Sequence, residues 1–171
     1  MSVNNIDESA PTITSGGTAS AIAENSGAGQ VVYTVTSDDS ADVSGGVSYA
    51  LGGTDAALMS IDSASGAVTL TGNPDEESQA SYSFTVTATD AASNSSEQAV
   101  TLSVTDLDEV APSITSSATG LVVEDSGANK VVYTVTSDDS GDIATGATSY
   151  SLNAGSDSAL SIDSSTGQVT L

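Results

Sequence analysis

The 171-residue sequence contains no His, no Cys and no Trp, and its single basic residue is Lys130. Without His or Cys, the chain cannot form a Ser-His-Asp or Cys-His catalytic site, an imidazole or thiolate metal site, or a disulfide. One cation is too few to bind the phosphate backbone of a nucleic acid, which is neutralised by several basic side chains. No apolar run reaches the roughly 18 residues of a membrane-spanning helix. These absences exclude nucleic-acid binding and any catalysis that depends on His or Cys.

What is present is acid: 23 Asp and Glu residues give a formal net charge of -22. High charge is typical of disordered chains, but those are poor in aromatic and β-branched residues. Here Val31, Tyr33 and Val35 alternate with polar residues, and the longer run from Tyr82 to Thr89 alternates in the same way. Alternation with a period of two is typical of half-buried antiparallel strands. The sequence therefore predicts a folded, all-β chain.

An internal repeat organises the chain, because residues 10–70 align with residues 111–171. Residues 31–40 and 131–140 are identical. A period near 100 residues with about seven short strands is the size of an immunoglobulin-like sandwich. We therefore predict tandem immunoglobulin-like sandwiches of seven strands each, with the second repeat truncated.

The alignment also predicts the domain boundaries. Residues 1–10 align with the end of the first repeat and its linker, so we expect them to be the tail of a preceding repeat. A complete repeat follows at 11–105, a linker at 106–112, and a partial repeat at 113–171 that lacks the last two strands. We expect the natural protein to be longer at both ends.

Strand direction predicts where the acids lie. We number seven strands in the first repeat: A about 12–23, B 30–37, C 47–51, D 57–62, E 66–71, F 81–89 and G 98–105. Each strand of such a sandwich crosses from one end of the domain to the other, and the next strand returns. Strands A, C, E and G therefore finish at the same end, which we call the far pole. B, D and F finish at the near pole, where the chain enters.

Acids collect at both predicted poles. The far pole receives Glu24, the run 75–77 and the acids of 106–109, and the near pole receives Asp7, Glu8, Asp38, Asp39, Asp42 and Asp90. Two carboxylates about 5 Å apart repel by ~3 kcal/mol at an effective dielectric of 20. Calcium, which prefers oxygen ligands, removes this repulsion. The alternative interpretation is that these are ordinary solvated loop acids.

Several segments in order resemble the motifs of cadherin repeats. They are Ala23-Glu24-Asn25, Tyr49 with Ile61-Asp62 and Gly66-Ala67-Val68, Asp75-Glu76-Glu77, and Tyr82 with Thr87-Ala88-Thr89-Asp90. The run from Asp106 to Pro112 resembles the linker between cadherin repeats. The composition, rich in Ser, Thr and Asp and poor in Lys, resembles the cadherin-like arrays of bacterial surface adhesins.

The resemblance implies a set of Ca²⁺ ligands between successive repeats. Glu24 matches the first-turn Glu, Asp75 and Glu77 match the outer acids of Asp-Arg-Glu, and Asp138 matches an acid of the next repeat. The linker acids Asp106, Asp108 and Glu109 match Asp-x-Asn-Asp. Ser140 stands where a second Asp belongs, although Asp142 lies two residues on, and Val110 replaces a linker Asn.

The leading hypothesis is a calcium-binding cadherin-like module of a large exported adhesin. It would act as a Ca²⁺-rigidified spacer and adhesion element at the cell surface, and it would not be an enzyme. Its expected partners are Ca²⁺, neighbouring repeats of the same chain, and another cell-surface protein or glycan. The alternative is a metal-independent immunoglobulin-like module that itself binds a glycan or protein ligand. Near-identity of residues 31–40 and 131–140 favours the spacer, because ligand-binding tips are usually unique within an array.

Overall fold

A computed structural model describes residues 4–43, 45–143 and 146–171. The chain divides into two compact units, Met1–Asp106 and Leu107–Leu171. Strands make up the regular structure of both, apart from a short 3-10 turn at Ala56–Leu58. In the described ranges, no helix has the length and hydropathy of a membrane span. The all-β prediction is confirmed.

The first unit is built from nine strands within its described residues. They are β1 (Thr12–Ile13), β2 (Ile22–Ala23), β3 (Gln30–Thr34), β4 (Ser37–Asp38), β5 (Val47–Gly52), β6 (Met59–Ile61), β7 (Ala67–Leu70), β8 (Ser81–Asp90) and β9 (Ser95–Thr105). One sheet has the order β2-β9-β8-β5 and another the order β3-β7-β6, while β1 pairs with β4.

Alternating apolar residues of both sheets meet in one core. Phe84 and Leu102 from the four-stranded sheet, and Val68 and Leu70 from the three-stranded sheet, are each at most 1% exposed. Phe84 packs edge-on against Tyr33, with ring centroids 6.0 Å apart. Burying a side chain of this size stabilises the fold by ~1.5–3 kcal/mol. The predicted immunoglobulin-like sandwich is therefore confirmed.

The single predicted strand at 12–23 is wrong, because the chain changes sheets within it. β1 pairs antiparallel with β4, whereas β2 pairs parallel with β9. Between them, the Tyr33 hydroxyl donates to the Gly16 carbonyl oxygen at 2.6 Å and lies 2.8 Å from Ser15 Oγ. These contacts hold residues 15–16, between β1 and β2, against the core. The period-two pattern of the sequence does not predict them.

The second unit repeats part of this plan. Its strands within the described residues are β10 (Ser113–Ile114), β11 (Val131–Thr134), β12 (Ser137–Asp138), β13 (Ser161–Ile162) and β14 (Gln168–Thr170). β10 pairs with β12, and a three-stranded sheet has the order β11-β14-β13. Residues 147–153, the counterpart of β5, form no strand. In the first unit, the corresponding strand β5 pairs with β8 along its whole length.

Candidate metal centre

Two strands that end side by side bring the far-pole acids together. Because β2 and β9 run parallel, with Ala23 opposite Thr105, the residues that follow them, Glu24 and Asp106, leave the same edge of the sheet. The loop between β7 and β8 reaches the same place. We call the resulting set the far-pole cluster: Glu24, Asp75, Glu76, Glu77 and Asp106.

Glu24 is the buried centre of this cluster, at 1% exposure. Its backbone N–H donates to the Thr105 carbonyl oxygen at 3.0 Å, which fixes the residue at the end of β9. Its Oε2 accepts a hydrogen bond from the Glu76 N–H at 2.8 Å. Glutamate is rarely buried unless a charge or hydrogen-bond partner compensates for lost hydration. The Glu24 side chain thus ties the loop of residues 75–77 to the sheet.

The far-pole carboxylates form two overlapping groups. Glu24, Asp75 and Glu77 each offer an oxygen within 4.8 Å of the others, and so do Glu76, Glu77 and Asp106. Oδ1 of Asp106 is buried. Carboxylates at such distances repel by roughly 3 kcal/mol per pair at an effective dielectric of 20. A cation placed among them would convert this repulsion into attraction.

A second group lies at the near pole of the first unit, and we call it the near-pole cluster. Asp7, Asp39 and Asp90 each offer a carboxylate oxygen within 4.8 Å of the others. Asp90 is the last residue of β8, and Asp39 directly follows β4. Strand direction predicts this pole for all three residues. They are absent from the predicted ligand set, which covers the far pole and the repeat that follows it.

Asn94 holds Asp90 in place. The Asn94 N–H donates to Asp90 Oδ1 at 2.8 Å, and its side-chain Nδ2 donates to Asp90 Oδ2 at 2.9 Å and to the Asp7 carbonyl oxygen at 3.2 Å. Burial raises the pKa of Asp90, but these hydrogen bonds, with further ones from the Ala92 and Ser93 backbone, outweigh it and hold the pKa below its ordinary value. Asp90 is therefore a charged, positioned ligand candidate.

Asp38 and Asp39 have different roles. Asp38 pairs with Thr12 across β1 and β4, and its Oδ1 accepts a hydrogen bond from the Ser40 N–H at 3.0 Å. The adjacent Asp39 is the one that joins the near-pole cluster. In the second unit, Asp138 repeats the contact of Asp38, accepting from the Ser140 N–H at 3.0 Å. A hydrogen bond from the Ser140 side chain, and to a smaller extent the one from its backbone N–H, hold the pKa of Asp138 below its ordinary value.

The other predicted ligands of the second unit lie near its start. Asp108 and Asp139, the counterparts of Asp7 and Asp39, line one cavity of about 240 Å³. Asp142 Oδ2 accepts a hydrogen bond from the Glu109 N–H at 2.9 Å. The same contact occurs in the first unit, where the Glu8 N–H donates to Asp42 at 3.4 Å. Asp42 and Asp142 thus anchor the segment that precedes each repeat.

The structure gathers part of the predicted ligand set into clusters. It places Glu24, Asp75 and Glu77 in one group and Asp106 in the overlapping one, while Asp108, Glu109, Asp138 and Asp142 belong to the second unit. As metal ligands, all eight stay predictions. No sequence signal separates Asp39 from the adjacent Asp38, because the difference arises from the pairing of Asp38 with Thr12 across β1 and β4.

Two further acids serve turns. Asp163 Oδ1 accepts hydrogen bonds from the Ser165 side chain and from the Thr166 and Ser165 N–H groups, which lower the pKa of Asp163 to about 2. Asp62 accepts from the Ser65 and Ala64 N–H groups in the same way, and its pKa is lowered too. Both carboxylates satisfy local backbone donors, so neither belongs to a cluster.

The donor chemistry of both clusters fits Ca²⁺. Each offers only oxygen atoms, from carboxylates that include the buried Glu24 and Asp90. Hard cations such as Ca²⁺ take six to eight oxygen ligands at flexible geometry, whereas zinc and copper sites use nitrogen and sulfur donors. The chain's one basic residue, Lys130, lies in the other unit.

Comparison with known proteins identifies the fold and the family. The family model for the cadherin domain matches residues 18–105, just over half of the chain. A search of curated proteins gave no significant match. Cadherin domains are extracellular adhesion modules rather than enzymes, and in general they bind Ca²⁺.

Solved cadherin structures resemble the chain at low identity. The mouse clustered protocadherin PcdhgC3 EC1-3 matches 99% of this chain and 58% of its own length, with 21% identity and a TM-score of 0.73. The protocadherin gamma B2 domains 3-6 match 98% of this chain and 44% of theirs, with 21% identity and a TM-score of 0.68.

The Drosophila N-cadherin EC1-4 matches 95% of this chain and 40% of its own length, with 25% identity and a TM-score of 0.63. The chain thus spans between 40% and 58% of the length of these three structures. The domain match, the sandwich topology and the acids at the strand ends agree, and the chain belongs to the cadherin family.

Proposed function

We propose that the chain is a calcium-binding cadherin module of a larger exported adhesin, and that it serves as a spacer and adhesion element. One observation carries the proposal. Glu24 is 1% exposed and shares a 4.8 Å neighbourhood with Asp75 and Glu77, in a chain that has a single basic residue. A divalent cation would neutralise the buried Glu24 carboxylate together with the exposed Asp75 and Glu77 carboxylates beside it.

Each cluster has a set of proposed ligands. At the far pole these are Glu24, Asp75, Glu77 and Asp106, with Glu76 beside them; at the near pole they are Asp7, Asp39 and Asp90. For the second repeat we keep Asp108, Glu109, Asp138 and Asp142 as predicted ligands and add Asp139, because it is the counterpart of Asp39. The ion would supply positive charge and would be bound by several of these carboxylates at once. Glu24 holds the loop of residues 75–77 in position, and Asn94 holds the Asp90 carboxylate.

Isothermal titration of Ca²⁺ into the full chain tests the proposal, with Mg²⁺ as the competing ion. We expect saturable binding that Mg²⁺ at equal concentration does not abolish, because Mg²⁺ demands a stricter octahedral geometry. When the free Ca²⁺ concentration is 100 times the Kd, binding stabilises the folded state by ~2.7 kcal/mol. The Tm should therefore rise as Ca²⁺ is added. A flat titration and an unchanged Tm would contradict calcium binding.

The spacer role needs its own experiment, since calcium binding alone does not establish it. We propose that Ca²⁺ stiffens the connection between successive repeats, as expected if linker acids such as Asp108 are ligands. Small-angle scattering in chelator and in millimolar Ca²⁺ then gives a broader shape distribution without Ca²⁺, while the strand signal in circular dichroism is kept. Scattering curves that superimpose would favour the metal-independent alternative, for which a glycan array screen is the direct test.

The cellular setting is also a proposal. Few Lys residues, and a composition rich in Ser, Thr and Asp, are what suggest an adhesin of the bacterial surface type. On this proposal the module's partners are Ca²⁺, neighbouring repeats, and a cell-surface protein or glycan.

A further inference from the structure

A pocket of about 330 Å³ opens in the first unit, beside the far-pole cluster. Its lining comes from the 3-10 turn, the end of β7, the loop between β7 and β8, and the start of β8. Leu58, Leu70 and Tyr82 are among the lining residues, and Asp75 is the charged one. Because Asp75 also belongs to the far-pole cluster, the pocket and the cluster share one carboxylate. Ligand sites in proteins have volumes of roughly 300–1,000 Å³, so the pocket has room for a small group.

The hydroxyl of Tyr82 differs from that of every other tyrosine in the chain. The side chain is 7% exposed, and its ring belongs to the core. The hydroxyls of the other four tyrosines, Tyr33, Tyr49, Tyr133 and Tyr150, each lie 2.8–2.9 Å from a serine Oγ. In the part of the chain that the structure describes, the Tyr82 hydroxyl has no hydrogen-bond partner, and its oxygen is not sealed from solvent. A buried tyrosine usually finds a partner for its hydroxyl. Because Tyr82 lines the pocket, a molecule bound there would be that partner.

The polar side chains of the pocket offer acceptors more than donors. Asn73 Nδ2, Gln79 Nε2 and Thr71 Oγ1 each donate a hydrogen bond within the chain, at 3.0, 3.1 and 2.7 Å respectively. Asp75 Oδ1 accepts from the Ser78 N–H at 2.9 Å. Asp75 Oδ2 and Gln79 Oε1, by contrast, accept no hydrogen bond from any described residue. A ligand that completes the hydrogen bonding of this pocket therefore supplies donors.

The charges around the pocket favour a cation. Burial, followed by the negative charges of Asp55 and Asp75, raises the pKa of Tyr82. Both carboxylates therefore act on the Tyr82 hydroxyl, and only Asp75 belongs to a carboxylate cluster among the described residues. The first unit has no basic side chain to neutralise them, since Lys130 lies in the second. A positively charged group would be attracted to this pocket, whereas an anion would be repelled.

We infer that the pocket receives the guanidinium side chain of an arginine on a partner protein. A guanidinium carries several N–H donors, no acceptor and a permanent positive charge, so it complements the open acceptors of Asp75 and Gln79. The Tyr82 hydroxyl oxygen accepts a further N–H. The aliphatic stem of the arginine covers Leu58, which is 43% exposed, and Leu70. A sugar fits less well, because the Tyr82 ring is buried in the core and offers no exposed face for stacking. This inference does not depend on calcium binding.

NMR titration of the full 171-residue chain with a small arginine probe tests the inference. The probe is N-acetyl-arginine N-methylamide, whose only charge is the guanidinium. The matched control is N-acetyl-citrulline N-methylamide, which keeps the shape of the side chain but is neutral. Titrations are run in chelator, so that the result does not depend on Ca²⁺, and at about 0.15 M salt, which screens weak attraction to exposed acids. We expect saturable shifts of the Leu58 methyl and Gln79 side-chain amide signals with the arginine probe, and affinity at least about tenfold lower for citrulline.

Two variants separate the pocket from the general negative charge of the chain. Tyr82→Phe removes the hydroxyl but keeps the ring in the core, and it should weaken binding of the arginine probe by about tenfold. Asp55→Asn removes a nearby charge while its side-chain oxygen can still accept the Ser83 N–H, and it should weaken binding about threefold. The control is Tyr49→Phe, which removes a hydroxyl that contacts Ser37 outside the pocket and should bind the probe like the parent.

Three results would overturn the inference. Equal affinity of the parent and Tyr82→Phe, with shifts spread over the acidic loops of both units, would show non-specific attraction to negative charge. Saturable shifts with methyl glucoside and none with the arginine probe would assign the pocket to a glycan. No saturable shift with either probe would show that the pocket holds only water. A flat Ca²⁺ titration would contradict the calcium proposal but would leave all of these outcomes unchanged.

Discussion

The buried carboxylate of Glu24 accepts a hydrogen bond from the backbone N–H of Glu76, 52 residues further along the chain, at 2.8 Å. This contact joins the end of β2 to the loop between β7 and β8, at the point where Asp75, Glu77 and Asp106 converge. A neutral amide can keep the hydrogen bond but not the charge. Replacing the Glu24 carboxylate with an amide therefore separates the structural role of the side chain from its proposed role as a calcium ligand.

Glu24→Gln should lower the stability of the fold in calcium but not in chelator. In chelator the variant should be as stable as the parent or more stable, because one of several crowded negative charges is removed. In millimolar Ca²⁺ it should be less stable and bind at least about tenfold more weakly, which is ~1.4 kcal/mol. Thermal unfolding in both buffers is the measurement. Glu97→Gln, on the exposed face of β9, is the control and should show neither change.

Asp39→Asn should weaken calcium binding more than Asp38→Asn. Asp39 belongs to the near-pole cluster, whereas Asp38 accepts the Ser40 N–H, and an Asn oxygen can accept the same bond. Calorimetric titration of the two adjacent variants compares equal chemical changes at consecutive positions. Equal losses of affinity would contradict the assignment of Asp39 as the ligand.

Asn94→Ala should raise the pKa of Asp90. Side-chain and backbone hydrogen bonds hold this pKa below the ordinary value, so the charged Asp90 stabilises the fold above about pH 3.9, the unperturbed value. That contribution is lost as the pH falls through the lowered pKa. NMR titration of the Asp90 carboxyl carbon measures the shift, and calcium affinity should fall in the same variant. Asn153→Ala, in the other unit, is the control.

Asp163 should remain ionised to about pH 2. Its charged form accepts the Ser165 and Thr166 donors, so the stability that it contributes is present above the ordinary carboxyl pKa and disappears as the pH approaches 2. Ser165→Ala removes one of these donors and should raise the pKa of Asp163 while leaving that of Asp62 unchanged. Carboxyl NMR between pH 1.5 and about 5.5, which brackets both values, distinguishes them. An Asp163 pKa near that of a free carboxyl would contradict this turn geometry.

Amides of β11 and β14 should exchange with solvent faster than those of β3 and β7. The two pairs have the same register, but Tyr33 is 9% exposed under Phe84 and Tyr133 is only half-buried. Each apolar side chain removed from water is worth ~1.5–3 kcal/mol, so exchange should differ by at least about tenfold. Equal protection in hydrogen-exchange mass spectrometry would contradict the prediction.

Much of the fold and part of the site can be predicted from sequence, because both depend on local patterns. Alternation along residues 82–89 predicts β8, and the order of strands predicts that Glu24 and Asp106 leave the same pole. Strand parity also separates Asp7, Asp39 and Asp90 from the far-pole acids. These predictions need only the direction of each strand, which short connections preserve.

What the sequence determines by itself is thus most of the strands of the first repeat, the repeat itself and the pole at which the acids of the first unit lie. Only the tertiary structure decides which carboxylates meet. Asp38 and Asp39 are adjacent and chemically identical, yet pairing with Thr12 turns one to the Ser40 N–H and leaves the other to the cluster. Similarly, the chain changes sheets between β1 and β2 because Tyr33 holds residues 15–16 from across the core. Such choices depend on contacts between residues far apart in the chain, and no local pattern encodes them.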